Sequence, residues 1–148
     1  MTLRPMLVLL AALLWASPAL AAAEESVEVW KSATCKCCIN WVKHLEANSF
    51  AVTVNAADPS MLERIKRQSG IGAKIASCHT AKIGPYVIEG HVPAPDIKRS
   101  VAERPDALGL TVPDMPVGSL GMEQGDETEP YDVLLIHKDG TTETFASH

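Results

Sequence analysis

Three cysteines lie within four positions of the segment SATCKCCINWVKHL: Cys35, Cys37 and Cys38. Thr34 is placed to cap a helix that follows, so the thiols stand at a helix N-terminus, where unpaired backbone N–H groups favour thiolate over thiol. Thiolate is the form that attacks disulfides and binds soft metals. Because Cys35 and Cys38 are three residues apart, their sulfur atoms can converge on one helix face.

The fourth cysteine is Cys78, and an even count of four first suggests two structural disulfides. The spacing argues against that interpretation, because the adjacent Cys37 and Cys38 cannot easily bond to each other. A bond from Cys35 to Cys38 closes a very short loop and removes little entropy from the unfolded chain. We therefore predict a redox-active or metal-binding cluster rather than two structural bridges.

Further soft donors follow in the loops. His79 is beside Cys78 in ASCHTA, His91 lies in EGHVP, and Met115 and Met122 lie in PDMPVGSLGME. Thiolate, thioether and imidazole together suit Cu(I). Zinc would accept a set of cysteine and histidine ligands but has no use for methionine. These four residues are predicted as additional metal ligands, and no catalytic residue is assigned apart from the metal site.

The other histidines, His44, His137 and His148, are predicted to be surface residues. Trp30 and Trp41 are predicted to be core residues, although Trp30 is also a candidate to shield the thiols from water.

The N-terminus has the pattern of a secretory signal peptide. One positive charge, Arg4, precedes an apolar run from Met6 to Ala16, and small residues suitable for cleavage follow. The alternative, an uncleaved anchor, is disfavoured because the run is short for a membrane span. We predict that residues 1–23 are removed and that the protein is periplasmic, with no membrane span after cleavage.

Residues 24–148 would then form one domain with an acidic balance. The whole chain has 13 basic and 18 acidic residues, and the predicted signal contains only one of these charges. An acidic domain without a basic run is a poor candidate for binding nucleic acid.

The spacing of apolar residues predicts a βαβα start. Residues 27–32 alternate like a half-buried strand, residues 37–48 follow a helical spacing, and FAVTVNAAD is a second strand. A second helix opens at Pro59 and ends at Gly70.

The second half of the chain is less regular. Residues 70–106 contain a short strand at 86–89 and a helix over about 95–103, and residues 108–130 are mostly loop. Asp139-Gly140 between two alternating runs predicts a C-terminal β-hairpin. Together these elements predict an α/β, thioredoxin-like fold with a mixed sheet, in which residues 70–106 are an insertion between two halves.

Three segments in this order resemble the CopG-type periplasmic copper-resistance proteins: VEVWKSATCKCC, SCHTAKIGPYVIEGHVPAPDI and MPVGSLGMEQG. The resemblance implies a thioredoxin-like fold whose C-x-C-C motif holds copper in a cysteine-bridged, multinuclear cluster. The motif maps onto Cys35, Cys37 and Cys38, and the later cysteine maps onto Cys78. The segment PDMPVGSLG departs from the expected pattern, with Asp114 in place of Gly and Leu120 in place of Pro.

The resemblance also implies a role beside copper efflux or other periplasmic copper-handling proteins, and interconversion of Cu(I) and Cu(II), which would make the protein a copper oxidoreductase. Two other functions stay open from the residues alone. A thiol–disulfide oxidoreductase would use Cys35 as nucleophile and Cys38 as resolving thiol. A structural zinc domain is the third alternative.

Overall fold

The computed structural model describes residues 25–148. The predicted signal peptide, residues 1–23, lies outside the described residues. Among the residues that are described, no helix combines the length and the apolar character needed to cross a membrane.

The first half alternates strands and helices as predicted. The elements are β1 (Glu25–Lys31), α1 (Lys36–Ala47), β2 (Phe50–Ala56) and α2 (Pro59–Gln68). β1 and β2 are parallel, as expected for strands joined through a helix. The predicted ends of the helices are confirmed, because Asn48 caps the C-terminus of α1 and α2 starts at Pro59.

The middle of the chain contains a short 3-10 helix (Ala73–Ile75), β3 (Thr80–Ile83), β4 (Tyr86–Glu89) and α3 (Ala94–Glu103). β3 pairs with β1, so residues 70–106 supply central strands of the sheet. The predicted strand at residues 86–89 is confirmed as β4, whereas β3 was not predicted. β3 is only four residues long, and a strand this short gives little periodicity to detect. The interpretation of residues 70–106 as an insertion between two halves stays a prediction.

The last three strands are β5 (Gly109–Thr111), β6 (Asp132–Ile136) and β7 (Thr142–Ser147). β6 and β7 are antiparallel around the turn at Gly140, which confirms the predicted hairpin. β5 is parallel to β4, and the two backbones come very close at Gly109. A Cβ atom there would lie 1.8 Å from the carbonyl oxygen of Val87, so only glycine fits.

The seven strands form one mixed sheet in the order β2-β1-β3-β4-β5-β6-β7. The mixed α/β class is therefore confirmed, and the connections from β1 to α3 are compatible with a thioredoxin-like arrangement. Because β3 is antiparallel to both neighbours, the carboxyl ends of β1 and β4 meet the amino end of β3 at one edge. Residues that follow or precede these strand ends are thereby brought together.

The core lies between the sheet and the inner face of α1. That face buries Trp41, Val42 and Leu45 against strand residues such as Val29 and Ile88. The Trp41 indole donates a hydrogen bond from Nε1 to the carbonyl oxygen of Val92 at 2.9 Å. Its polar end is thus satisfied, as a buried tryptophan requires, and the bond ties α1 to the segment between β4 and α3.

Candidate metal centre

The first turn of α1 is capped by a sulfur atom. The N-cap residue is Cys35, whose Sγ accepts the backbone N–H of Cys38 at 3.3 Å. The prediction that Thr34 caps this helix is therefore wrong. Its hydroxyl lies 3.3 Å from Ser32 Oγ, in the turn before the helix. Threonine is a commoner cap than cysteine, so the sequence pattern favoured the residue one position too early.

Cys35 and Cys38 form a disulfide in this structure, while Cys37 and Cys78 are free thiols. Cys37 Sγ is 3.4 Å from Cys35 Sγ, and Cys78 Sγ is 3.4 Å from Cys38 Sγ. All four sulfur atoms lie within 4.8 Å of one another. We call this group the cysteine cluster. The predicted convergence of these four residues is thus present in the fold.

Cys78 is brought to the cluster by the loop that leads into β3. It also lies close to two imidazoles, at 3.2 Å from His79 Nδ1 and 3.1 Å from His91 Nε2. Cys78, His79 and His91 offer ligand atoms that are mutually within 4.8 Å. We call these three residues the Cys–His–His set. It shares Cys78 with the cysteine cluster, so the two groups are continuous.

The tautomer of His91 follows from its other contact. His91 Nδ1 lies 2.8 Å from the carbonyl oxygen of Leu120 and must carry the proton that this carbonyl accepts. The lone pair is then on Nε2, which faces Cys78. This arrangement is typical of metal-binding histidines, whose second nitrogen is held by a carbonyl or carboxylate.

His79 is fully buried against the ring of Trp41, with 4.3 Å between ring centroids. Burial, followed by the nearby charges of His91 and Lys66, lowers the pKa of His79 well below its ordinary value. Burial also lowers the pKa of His91. Both imidazoles are therefore neutral at neutral pH, which is the form that binds metals.

The pKa of the Cys78 thiol is shifted upwards, whereas those of the two histidines are shifted downwards. Burial, reinforced by the neighbouring Cys37, raises the pKa of Cys78 to about 12. The protonated thiol can donate its S–H to the lone pair of His91 Nε2. Burial disfavours a bare, negatively charged thiolate. A soft cation that replaced the proton would neutralise that negative charge.

A buried carboxylate holds the chain on both sides of Cys78 and His79. Glu89 Oε1 accepts the backbone N–H of Ser77 at 2.7 Å, and Glu89 Oε2 accepts the hydroxyl of Thr80 at 2.7 Å. Lys66 of α2 forms an ion pair with the same carboxylate. Sequence reasoning missed this support, although a glutamate at the end of the apolar run YVIE was a usable signal.

The loop that carries the predicted methionines packs onto the start of α1. A Cβ atom on Gly121 would lie 2.6 Å from the carbonyl oxygen of Cys37 and 3.3 Å from His91 Nδ1. Met122 is half-buried in the adjacent turn, where its N–H donates to Ser119. Met115 is 47% exposed. Its neighbour Asp114 has φ +58°, which explains why glycine was expected at that position.

The remaining histidines make specific contacts. His44, half-buried, accepts the first backbone N–H of α3, from Ala94, at Nε2. His148 lies 2.8 Å from Asp96 Oδ2 and stacks on Tyr131. His137 pairs with Glu143 on the hairpin surface. Of the two tryptophans that were predicted to be core residues, Trp41 is fully buried and Trp30 is only half-buried.

The chain is similar to one described protein family and to two solved structures. The family described as "Protein of unknown function, DUF411" matches residues 75–122. Two solved structures, forms 1 and 2 of "Copper resistance protein copG", are each 40% identical to this chain with a TM-score of 0.78. The alignments cover 84% of this chain and 98% of each of those chains. No curated protein matches the chain.

A mixed α/β sheet with clustered cysteine and histidine side chains at one edge defines the class, an α/β protein with a potential metal centre. The chain belongs to the family of CopG copper resistance proteins.

Proposed function

We propose that this protein binds copper in the periplasm as part of copper resistance, and that it holds Cu(I) in a cysteine-bridged site with more than one ion. The observation that carries the proposal is the position of four sulfur atoms within 4.8 Å of one another. Thiolates that bridge neighbouring ions need such short separations. The periplasmic location rests on the sequence pattern of residues 1–23.

The chemistry of the donors supports copper. Thiolate ligands suit soft metals, of which Cu(I) is one, and imidazole also suits copper. The relatives of 40% identity are named as copper resistance proteins. Lys66, which forms an ion pair with Glu89, also acts on the Cys78 thiol with its positive charge and thereby favours the thiolate. Met115 and Met122 remain candidate thioether ligands, and interconversion of Cu(I) and Cu(II) remains a candidate activity.

The test is a copper count on reduced protein. Protein with all four thiols reduced is loaded with Cu(I) without oxygen, freed of excess metal and analysed for copper. We expect more than one copper ion per chain, and a lower count after Cys→Ser substitution at Cys35, Cys37, Cys38 or Cys78. The matched control is His137→Ala, a histidine on the far hairpin. A count near zero, or one that the cysteine substitutions leave unchanged, would contradict the proposal.

A second function is favoured by one specific observation, the Cys35–Cys38 disulfide at a helix N-terminus. This arrangement is suited to thiol–disulfide exchange, in which a thiolate attacks one sulfur of a disulfide. Reduction of insulin disulfides by the copper-free protein, lost in Cys35→Ser, would support an oxidoreductase. Absence of that activity, together with copper binding, would leave the first proposal alone. Elemental analysis of protein isolated from its own periplasm separates copper from zinc.

We further propose that the partners are copper efflux or other periplasmic copper-handling proteins. Co-purification of such proteins from periplasm exposed to copper would test this proposal.

A further inference from the structure

The two donor groups at this edge of the sheet differ in what they require. The cysteine cluster needs Cys35 and Cys38 as thiolates, whereas the Cys–His–His set needs neither. We propose that Cys78, His79 and His91 form a separate mononuclear site, which holds one copper ion while Cys35 and Cys38 are joined as a disulfide. Reduction of that disulfide would then convert the site into the multinuclear cluster. This inference rests on the proposed function.

The geometry of the Cys–His–His set is close to that of a ligand set. Cys78 Sγ lies 3.2 Å from His79 Nδ1 and 3.1 Å from His91 Nε2. A sulfur and a nitrogen bound at ~2.3 Å and ~2.0 Å to one tetrahedral ion stand ~3.5 Å apart. The two sulfur–nitrogen distances therefore have to lengthen by only a few tenths of an ångström. The two imidazole rings are nearly perpendicular, at 83°, which allows their nitrogens to approach from different sides.

His79 packs on Trp41 of α1, but the hydrogen bonds that hold the set come from other parts of the fold. Glu89 fixes the residues that flank Cys78 and His79, and the carbonyl oxygen of His79 accepts the N–H of Gly90 at 3.1 Å. His91 is oriented by the carbonyl oxygen of Leu120. None of these contacts involves Cys35 or Cys38. The Cys–His–His set should therefore keep its shape whether or not the disulfide is present.

The disulfide changes only the number of cysteine sulfur atoms that are available as thiolate ligands. Cys38 Sγ lies 3.4 Å from Cys78 Sγ, but in a disulfide it is not a thiolate and is a poor ligand. Reduction adds two electrons and two protons to the Cys35–Cys38 bond and yields two thiols. A dithiol reductant supplies these electrons and protons and becomes a disulfide. Cys78 then has two new sulfur neighbours, and the shared cluster can form.

The two forms would also prefer different copper chemistry. A set of two imidazoles and one thiolate accepts copper in both oxidation states, whereas a set of thiolates alone selects Cu(I). The Cys35–Cys38 bond would thus set how many copper ions the protein holds and which oxidation state it favours.

The first experiment compares the two forms of the wild-type protein. The disulfide form is prepared by mild oxidation and verified by peptide mapping of the Cys35–Cys38 bond and by alkylation of the two remaining thiols. Both forms are loaded with Cu(I) without oxygen, counted for copper and examined by X-ray absorption. We expect one copper with two nitrogen ligands and one sulfur ligand in the disulfide form. We expect several copper ions with mainly sulfur ligands in the reduced form.

Substitutions identify the ligands of the disulfide form. We expect His91→Ala and Cys78→Ser to lose the single copper, and Cys35→Ser combined with Cys38→Ser to retain it without any oxidation. The matched control is again His137→Ala. Because His79 is buried against Trp41, His79→Ala is interpreted only alongside circular dichroism, and the X-ray absorption of the wild-type protein tests the inference without any variant.

The possible results separate this inference from the proposed function. If the reduced form binds several copper ions but the disulfide form binds none, the inference is overturned and the proposed function stands. A single copper that is lost in Cys37→Ser would likewise overturn the assignment to two histidines and one cysteine. If the reduced form binds no copper, the proposed function itself fails.

Discussion

The first two helices both begin with a side chain that accepts a backbone N–H, but the two caps differ in strength. Cys35 Sγ caps α1 at 3.3 Å, whereas Asp58 Oδ1 caps α2 by accepting the N–H of Met61 at 2.8 Å. The helices also differ in burial. α1 buries four residues, including Trp41 and Leu45, whereas α2 buries none.

This difference shows how a helix start becomes available for chemistry. Sulfur is a weak hydrogen-bond acceptor, so Cys35 adds little to the stability of α1. The buried face of α1 supplies that stability instead, because most helical stability in proteins comes from packing. α2 has less packing and depends more on its cap. The cap position of α1 can therefore carry a reactive thiol, and that of α2 carries an ordinary aspartate.

The largest expected effect comes from removing the main packing residue of α1. Trp41→Ala should lower the free energy of unfolding by about 3–5 kcal/mol, as is usual for a buried tryptophan. The matched change on α2, Leu62→Ala, should cost about 1 kcal/mol, since Leu62 is only half-buried. Chemical denaturation of the reduced, metal-free proteins measures both. Equal losses would mean that the two helices are not anchored differently.

The next effect concerns the loop that covers the start of α1. Gly121→Ala adds a left-handed backbone cost of about 1–2 kcal/mol and an overpacking cost of about 1–3 kcal/mol, because the new methyl group meets the carbonyl of Cys37. Copper affinity should also fall about tenfold or more, since His91 is displaced. Denaturation and competition with a Cu(I) chelator measure these losses.

Gly125→Ala is the matched control for that substitution. Gly125 also has a positive φ, +62°, but a Cβ atom there meets nothing within 4 Å. It should show the backbone cost of about 1–2 kcal/mol alone and no change in copper affinity. Similar copper affinities in the two variants would show that close packing at Gly121 does not shape the site.

A smaller effect tests the caps directly. In reduced, metal-free protein, Asp58→Ala should lower the thermal midpoint more than Cys35→Ala does, because the aspartate oxygen is the stronger acceptor and α2 lacks buried residues. Hydrogen exchange should show faster opening of the first turn of the affected helix only. A larger loss in Cys35→Ala would contradict the view that packing, rather than capping, holds α1.

The smallest effect is a dependence on pH. The backbone N–H of Met61, with the hydroxyl of Ser60, lowers the pKa of Asp58 below its usual 3.8. The stabilisation is therefore present above pH 3.8 and is lost as the pH falls through the lower pKa of the folded state. Asp58→Asn keeps a cap but cannot titrate. The difference in thermal midpoint between wild type and Asp58→Asn should shrink below pH 3.8, and a constant difference would contradict this account.

The sequence determined the local elements and the candidate ligands. Periodicity placed α1 and β2, Pro59 marked the start of α2, and Asp139-Gly140 marked the last hairpin. The spacing of Cys35, Cys37 and Cys38 already indicated soft-metal or redox chemistry. These features depend on neighbours in the chain, so a single sequence is sufficient to predict them.

Only the tertiary structure decided what lies between distant segments. The central position of β3 and β4 depends on pairing across 50 residues of chain, which no local pattern encodes. The contacts of Cys78 with Cys38 and His91, and the support of Ser77 and Thr80 by Glu89, likewise depend on antiparallel pairing that brings three strand ends to one edge. Proximity of this kind is fixed by the packing of the sheet, and for that reason the sequence identified the candidate ligands but did not show how they are arranged.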